Sequence, residues 1–169
     1  ERLALEHKPK MISSGATAYP RTINFKRIGD IAKKVGAYHL ADVSHIAGLI
    51  ATGDHPSPFP HADVVMATTH KTMRGPRGAV IYSRTPKLSA AINKAIIPGV
   101  QGGPHNNQTA AIAQMFLEMQ TPAFKKYGHQ IVRNAKVLAH ELKSYSFNLI
   151  GGGTDNHLLL IDLKNKKVK

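Results

Sequence analysis

Hydrophobic positions recur along the chain with two different periods. Phe25, Ile28, Ile31, Ala32 and Val35 fall at helical spacing between Lys and Arg positions, and Gly36 follows as a stop signal. This stretch predicts an amphipathic helix. Elsewhere the apolar runs are short, lack a 3.6-residue stripe and are bounded by Gly, Pro or charge. MISS (11–14), AYHLADV (37–43), DVVMATT (63–69) and GAVIYS (78–83) therefore predict strands. The order strand, helix, strand across residues 11–43 has the length of an α/β crossover unit. Residues 1 to about 110 read as one such unit, with several strands in one sheet opening their C-terminal ends on a common crevice.

From Thr109 to Tyr145 the pattern turns helical. Pro122 is suited to start a long helix that runs on through Phe124, Tyr127, Ile131, Ala135, Leu138 and Leu142. HLLLIDL (157–163) then reads as a strand of a second unit. The expected division is a first domain over residues 1–121 and the beginning of a second over residues 122–169. Both ends, charged ERLALEHK and lysine-rich LKNKKVK, look cut from something larger.

Composition changes this picture only in part. The chain has no Cys, which removes disulfides and thiolate metal sites. It has no signal-peptide pattern and no long apolar span, so a soluble protein in the cytoplasm is expected, with a mitochondrial form left open. The net charge of +13 raises a nucleic-acid module as an alternative. Lys and Arg are nevertheless dispersed, densest in KNKKVK, and no finger-like or aromatic-interleaved basic stretch accompanies them. Neither a specific nucleic acid nor a membrane is expected as partner. The sign of the charge also suits phosphate-bearing cofactors and anionic substrates.

The chemistry gathers at two strand ends. Asp42 and His45 close the 37–43 strand, and His70 and Lys71 close the 63–69 strand. An acid, two imidazoles and a lysine at strand C-termini can hold a protonated heterocycle and form a Schiff base. Lys71 is expected to be partly desolvated and surrounded by His70, Arg74 and Arg77, which together favour the neutral, nucleophilic amine. A lysine snorkelling from a strand end is the plainer alternative. Asp42 could keep a pyridine nitrogen protonated, or it could be a helix-capping acid or a metal ligand. The ten histidines show no HExxH or other metal spacing. GVQGGPHNN (99–107) precedes a helix starting near Gln108 and could expose backbone N–H groups to a phosphate, although it lacks the GxGxxG order. GPRGA (75–79) and GGGTDN (151–156) read equally well as turns.

In order along the chain, KPKMISSGATAY, GAYHLADVSHIAGLI, HADVVMATTHKTMRGPRG, IPGVQGGPHN and GGGTDNHLLLIDL resemble serine hydroxymethyltransferases, and the resemblance runs from Lys8 to Leu163. It implies an α/β fold of the fold type I class of enzymes that use pyridoxal 5'-phosphate. The chain would then hold part of the large, mostly parallel-sheet domain and the start of a smaller α/β domain. It further implies conversion of L-serine and tetrahydrofolate to glycine and 5,10-methylenetetrahydrofolate, and a homo-oligomer, at least a dimer, with shared active sites. Lys71 is similar to the lysine that carries the cofactor, Asp42 to the acid on its pyridine nitrogen, and His45 to the histidine near its phenolic oxygen. His70 resembles a neighbour that helps hold the phosphate. Thr17 stands where the family commonly has a serine contacting the phenolic oxygen. Gly102 and Gly103 resemble a pair whose backbone reaches the cofactor phosphate of the adjacent subunit, and Arg77 an arginine that positions the loop after the lysine. The family's folate glutamate, site tyrosines and substrate-carboxylate arginine have no counterpart in the chain, so it is expected to be an inactive segment of a longer enzyme.

Overall fold

The computed structural model of the protein describes residues 1–166. In chain order its elements are α1 (Arg2–His7), β1 (Met11–Ser14), α2 (Phe25–Val35), β2 (Tyr38–Asp42), α3 (Ala47–Thr52), β3 (Val64–Thr68), β4 (Ala79–Ser83), α4 (Pro86–Ile96), α5 (Asn106–Met119), α6 (Pro122–Ser144), β5 (Asn148–Leu149) and β6 (Ile161–Asp162). A four-stranded sheet has the order β1-β2-β3-β4. The first three strands are parallel, with Ser14 beside Ala41 and Asp42 beside Met66. Their C-terminal ends therefore lie together.

The predicted helix and the three parallel strands are present. α2 starts where the Asn24 side chain accepts from the Arg27 N–H and stops at Gly36, whose φ of 71° suits a residue without Cβ. Its Phe25 and Ala32 are buried, and Phe25 joins Ala41, Val43, Ile46, Val65, Ala67, Met73 and Met115 in one core. Alternate residues of β2 and β3 supply this side of the sheet. On the opposite face Tyr38, Leu40, Val64, Met66 and Ile81 line an apolar depression with Met11 and Ile92.

Two expectations need correction. β4 runs antiparallel to β3, so its C-terminal end points away from the crevice. A parallel return needs a crossover of a dozen or more residues, and the link between Thr68 and Ala79 is a compact turn tied by Thr69 N–H to Gly78 O (3.0 Å) and Gly75 N–H to Thr69 O (2.7 Å). Of the 157–163 segment only Ile161–Asp162 pairs, with Asn148–Leu149. The Leu158 N–H is taken by the Asn156 side chain instead. The start expected at Pro122 is present: α5 ends at Met119 and α6 begins at Pro122, where Thr121 caps Phe124; the helix expected near Gln108 begins at Asn106.

α6 packs against α3. Gly128 permits this approach, since a Cβ there would stand 2.2 Å from Thr52 Oγ1. The segment after α6 returns to the loop following β1. Arg21 donates to Asp155 Oδ1 (2.8 Å) and to Gly151 O, and Asn156 Nδ2 donates to Tyr19 O (3.0 Å). Among the described residues, no helix is long and apolar enough to cross a membrane.

Candidate active site

The C-terminal ends of β1, β2 and β3 and the loops that follow them enclose a cleft of about 350 Å³ lined by Thr17, Asp42, Ser44, His45, Thr68 and Lys71, among others. Its geometry starts with Gly15. With φ at 140°, the chain turns over the end of β2, where a Cβ would lie 2.1 Å from Asp42 O. Only glycine allows the β1 loop this close to the acid.

Asp42 is held by one oxygen. Its Oδ1 accepts from the Ser44 N–H (3.0 Å) and the Ser44 hydroxyl (2.6 Å), the turn that an Asp two residues ahead of a Ser favours. Ser44 Oγ in turn accepts from the Thr68 N–H (3.1 Å), which stitches the β2 end to the β3 end. Asp42 Oδ2 makes no hydrogen bond among the described residues, leaving it able to accept from a ligand N–H.

Lys71 and His45 meet across the cleft at 3.1 Å, Nζ to Nε2. Burial, then the Lys71 charge, push the His45 pKa below its ordinary value, while Asp42 pulls the other way. A neutral imidazole is the result at neutral pH. Because an ammonium only donates, Nε2 accepts from a charged Lys71 and the ring proton sits on Nδ1.

The backbone around both residues is fixed by Thr72. Its hydroxyl donates to His45 O (3.1 Å) and accepts from the Gly48 N–H at the start of α3 (3.0 Å). Gly48 presses on the same turn, since a Cβ there would stand 2.2 Å from Thr72 O. Behind His45 lies His157, with ring centroids 6.5 Å apart and planes within 13°. The His157 pKa is also lowered, by burial first and by His45 second.

Thr17, Asp42, His45 and Lys71 thus come together at the cleft. His70 does not line it; its Nδ1 is buried and makes no hydrogen bond among the described residues. Gly102 and Gly103 lie in the exposed connection between α4 and α5, where a Cβ would meet nothing within 4 Å. The expected crowding of Lys71 by arginines is corrected. Arg74 lies over the rings of Tyr127 (4.6 Å) and Phe124 (5.4 Å), with Glu118 at 3.6 Å, because a flat guanidinium finds aromatic faces on α6. Arg77 is exposed and outside the cleft lining.

Sequence reasoning missed Ser44, Gly15, Gly48 and His157. The Asp-x-Ser turn was a readable signal for Ser44. Nothing local distinguishes the two glycines from ordinary loop glycines, and His157 reaches His45 only through the fold.

Residues 1–169 match the family model described as Serine hydroxymethyltransferase. The chain is 53% identical over 169 residues to the serine hydroxymethyltransferase of Wolbachia pipientis subsp. Culex pipiens (strain wPip), covering 100% of the chain and 40% of that relative. It is 52% identical over 168 residues to the enzyme of Wolbachia pipientis wMel, covering 99% and 40%. The chain spans about 40% of the length of the curated relatives it matches.

Proposed function

Because the chain belongs to the serine hydroxymethyltransferase family, we propose that its strand-end cleft is part of a pyridoxal 5'-phosphate site. The enzyme interconverts L-serine plus tetrahydrofolate with glycine plus 5,10-methylenetetrahydrofolate. The observation that carries this reading is the lysine amine 3.1 Å from a neutral histidine, in a cleft whose wall includes an acid with one unused oxygen.

The residues fit the cofactor. The cleft volume lies within the range of small-molecule sites, and Ser44 orients Asp42 through Oδ1 while Oδ2 stays available. When bound, pyridoxal 5'-phosphate supplies an aldehyde that condenses with an amine and a protonated ring that draws electrons from bonds at the substrate Cα. Lys71 offers the amine. His45 Nε2 stands 3.1 Å from that nitrogen, and burial and the neighbouring charge lower the basicity of the ring. Asp42 Oδ2 would hold the proton on the ring nitrogen, and the Thr17 hydroxyl would donate a hydrogen bond to the cofactor.

The remaining assignments extend the same reading. His70 supports the phosphate, and the Gly102 and Gly103 backbone serves the phosphate of a neighbouring subunit, which makes the enzyme at least a homodimer with shared sites. Residues 1–121 belong to the cofactor-binding domain and 122–169 to the start of a smaller one. The location proposed is the cytoplasm.

Borohydride reduction of the complete cofactor-loaded protein, followed by peptide mapping, tests the assignment. The cofactor mass should be found on the peptide carrying Lys71 and should vanish in Lys71→Ala. Label on a different lysine refutes it.

A further inference from the structure

The stack of His45 on His157 is not explained by the chemistry assigned to the cleft. His157 follows the Gly-rich loop after β5. Its backbone is fixed on both sides by Asn156, a residue 1% exposed whose Oδ1 accepts from the Leu158 N–H (2.7 Å) and whose Nδ2 donates to Tyr19 O (3.0 Å). The asparagine therefore closes a turn across His157 and ties it to the loop after β1, which also carries Thr17 into the cleft. The imidazole is half-buried, and its Nδ1 is buried with no hydrogen bond among the described residues.

That unpartnered nitrogen is informative. A buried donor or acceptor with no partner costs stability, and a ring held for its hydrogen bonds would use them. What His157 does offer is a flat face, nearly parallel to His45 at a centroid separation suited to offset stacking. His45 in turn must present one nitrogen, Nε2, to Lys71 Nζ. A free imidazole on a loop can turn about χ2 and swing Nε2 away from Lys71; a ring backed by a second flat ring cannot do so as easily.

We propose that His157 is a positioning residue, acting through its ring face to fix the plane in which His45 presents Nε2 to Lys71. The inference rests on the assignment of His45 and Lys71 to the active site. His45 is faced by Lys71 from the turn after β3, by Asp42 from β2, and by His157; His157 is faced by His45. The lowered basicity of both rings agrees with this packing, since each covers part of the other.

Ring ¹⁵N chemical shifts of His45, followed through a pH titration of the complete cofactor-free protein, read the geometry directly. In the wild type the proton should reside on Nδ1. His157→Ala should mix the two tautomers and move the titration upward, because water reaches the uncovered face. His157→Phe should keep the wild-type tautomer and titration, since it retains a flat face while removing both ring nitrogens. In the loaded enzyme kcat should fall on the order of tenfold in His157→Ala, with KM little changed, and recover in His157→Phe. Should the alanine variant not fold, His157→Leu replaces it: an aliphatic side chain keeps bulk without a flat face, so the mixed tautomer is again expected. A His45 spectrum unchanged by Ala or Leu overturns the positioning role, even with borohydride label on Lys71. Label on another lysine overturns the active-site reading instead.

Discussion

Gly48→Ala should loosen the site without touching any residue that lines it. Gly48 is buried at the second position of α3, and an added methyl would stand 2.2 Å from Thr72 O, where ordinary contact begins at 3.4 Å. The obstacle is backbone, so about 1.2 Å must be found by moving α3 or the turn after β3. Overpacking of this kind costs roughly 1–3 kcal/mol. Displacement also breaks the bond from the Gly48 N–H to Thr72 Oγ1, worth about 1 kcal/mol net. The expected loss is therefore about 2–4 kcal/mol, or a fall in Tm on the order of 5 °C or more. Because Thr72 Oγ1 also donates to His45 O, the same movement separates His45 from Lys71, and cofactor retention should fall with stability. Thermal unfolding and cofactor absorbance of the complete protein measure both. If Gly48→Ala melts with the wild type, the close approach of α3 to the Lys71 turn does not constrain the site.

Two further outcomes follow from named contacts. Asp42→Asn keeps an oxygen for the Ser44 bonds but removes the charge that holds a ring proton, so kcat should fall on the order of 100-fold in a folded protein; near-normal kcat in steady-state assays of serine cleavage rejects the role. His55 is buried, its Nδ1 donates to Pro56 O (3.0 Å), and burial lowers its pKa, as it does for His45 and His157. The unfolded chain therefore binds these protons first, near the ordinary value of about 6.5. The stability they contribute is complete above that value and is lost as pH falls through the folded pKa. Tm should drop between pH 7 and pH 5, and the drop should be smaller in His55→Gln; equal drops exclude His55 as a contributor.

Close backbone approach is the shared device behind the cleft. Gly15 lets the β1 loop cross Asp42, and Gly48 lets α3 lie on the Lys71 turn. Ser44 and Thr72 then convert those approaches into hydrogen bonds between the strand ends. The cleft is thus assembled from three loops pinned to one another, which is how groups far apart in sequence are held at hydrogen-bond distance.

The local elements, and the polar residues that end the strands, were readable from the order of residues alone. The 25–35 stripe, its glycine stop and the Val- and Thr-rich runs report local preferences that survive folding, so α2, β2, β3 and the Pro122 start of α6 were legible. Asp42, His45 and Lys71 were legible for a related reason: polar groups at the ends of apolar strands stand out against their surroundings. What depends on partners remote in the chain was settled by the assembled fold. The direction of β4 follows from how the turn after β3 closes, and the reach of the 157–163 strand from which backbone lies beside it. The place of Arg74 was settled by aromatic faces fifty residues later on α6, and that of His157 by an asparagine turn bonded to Tyr19. Periodicity encodes which face of an element is buried; it carries no record of what that face or side chain meets across space, because that is fixed by packing between segments rather than within one.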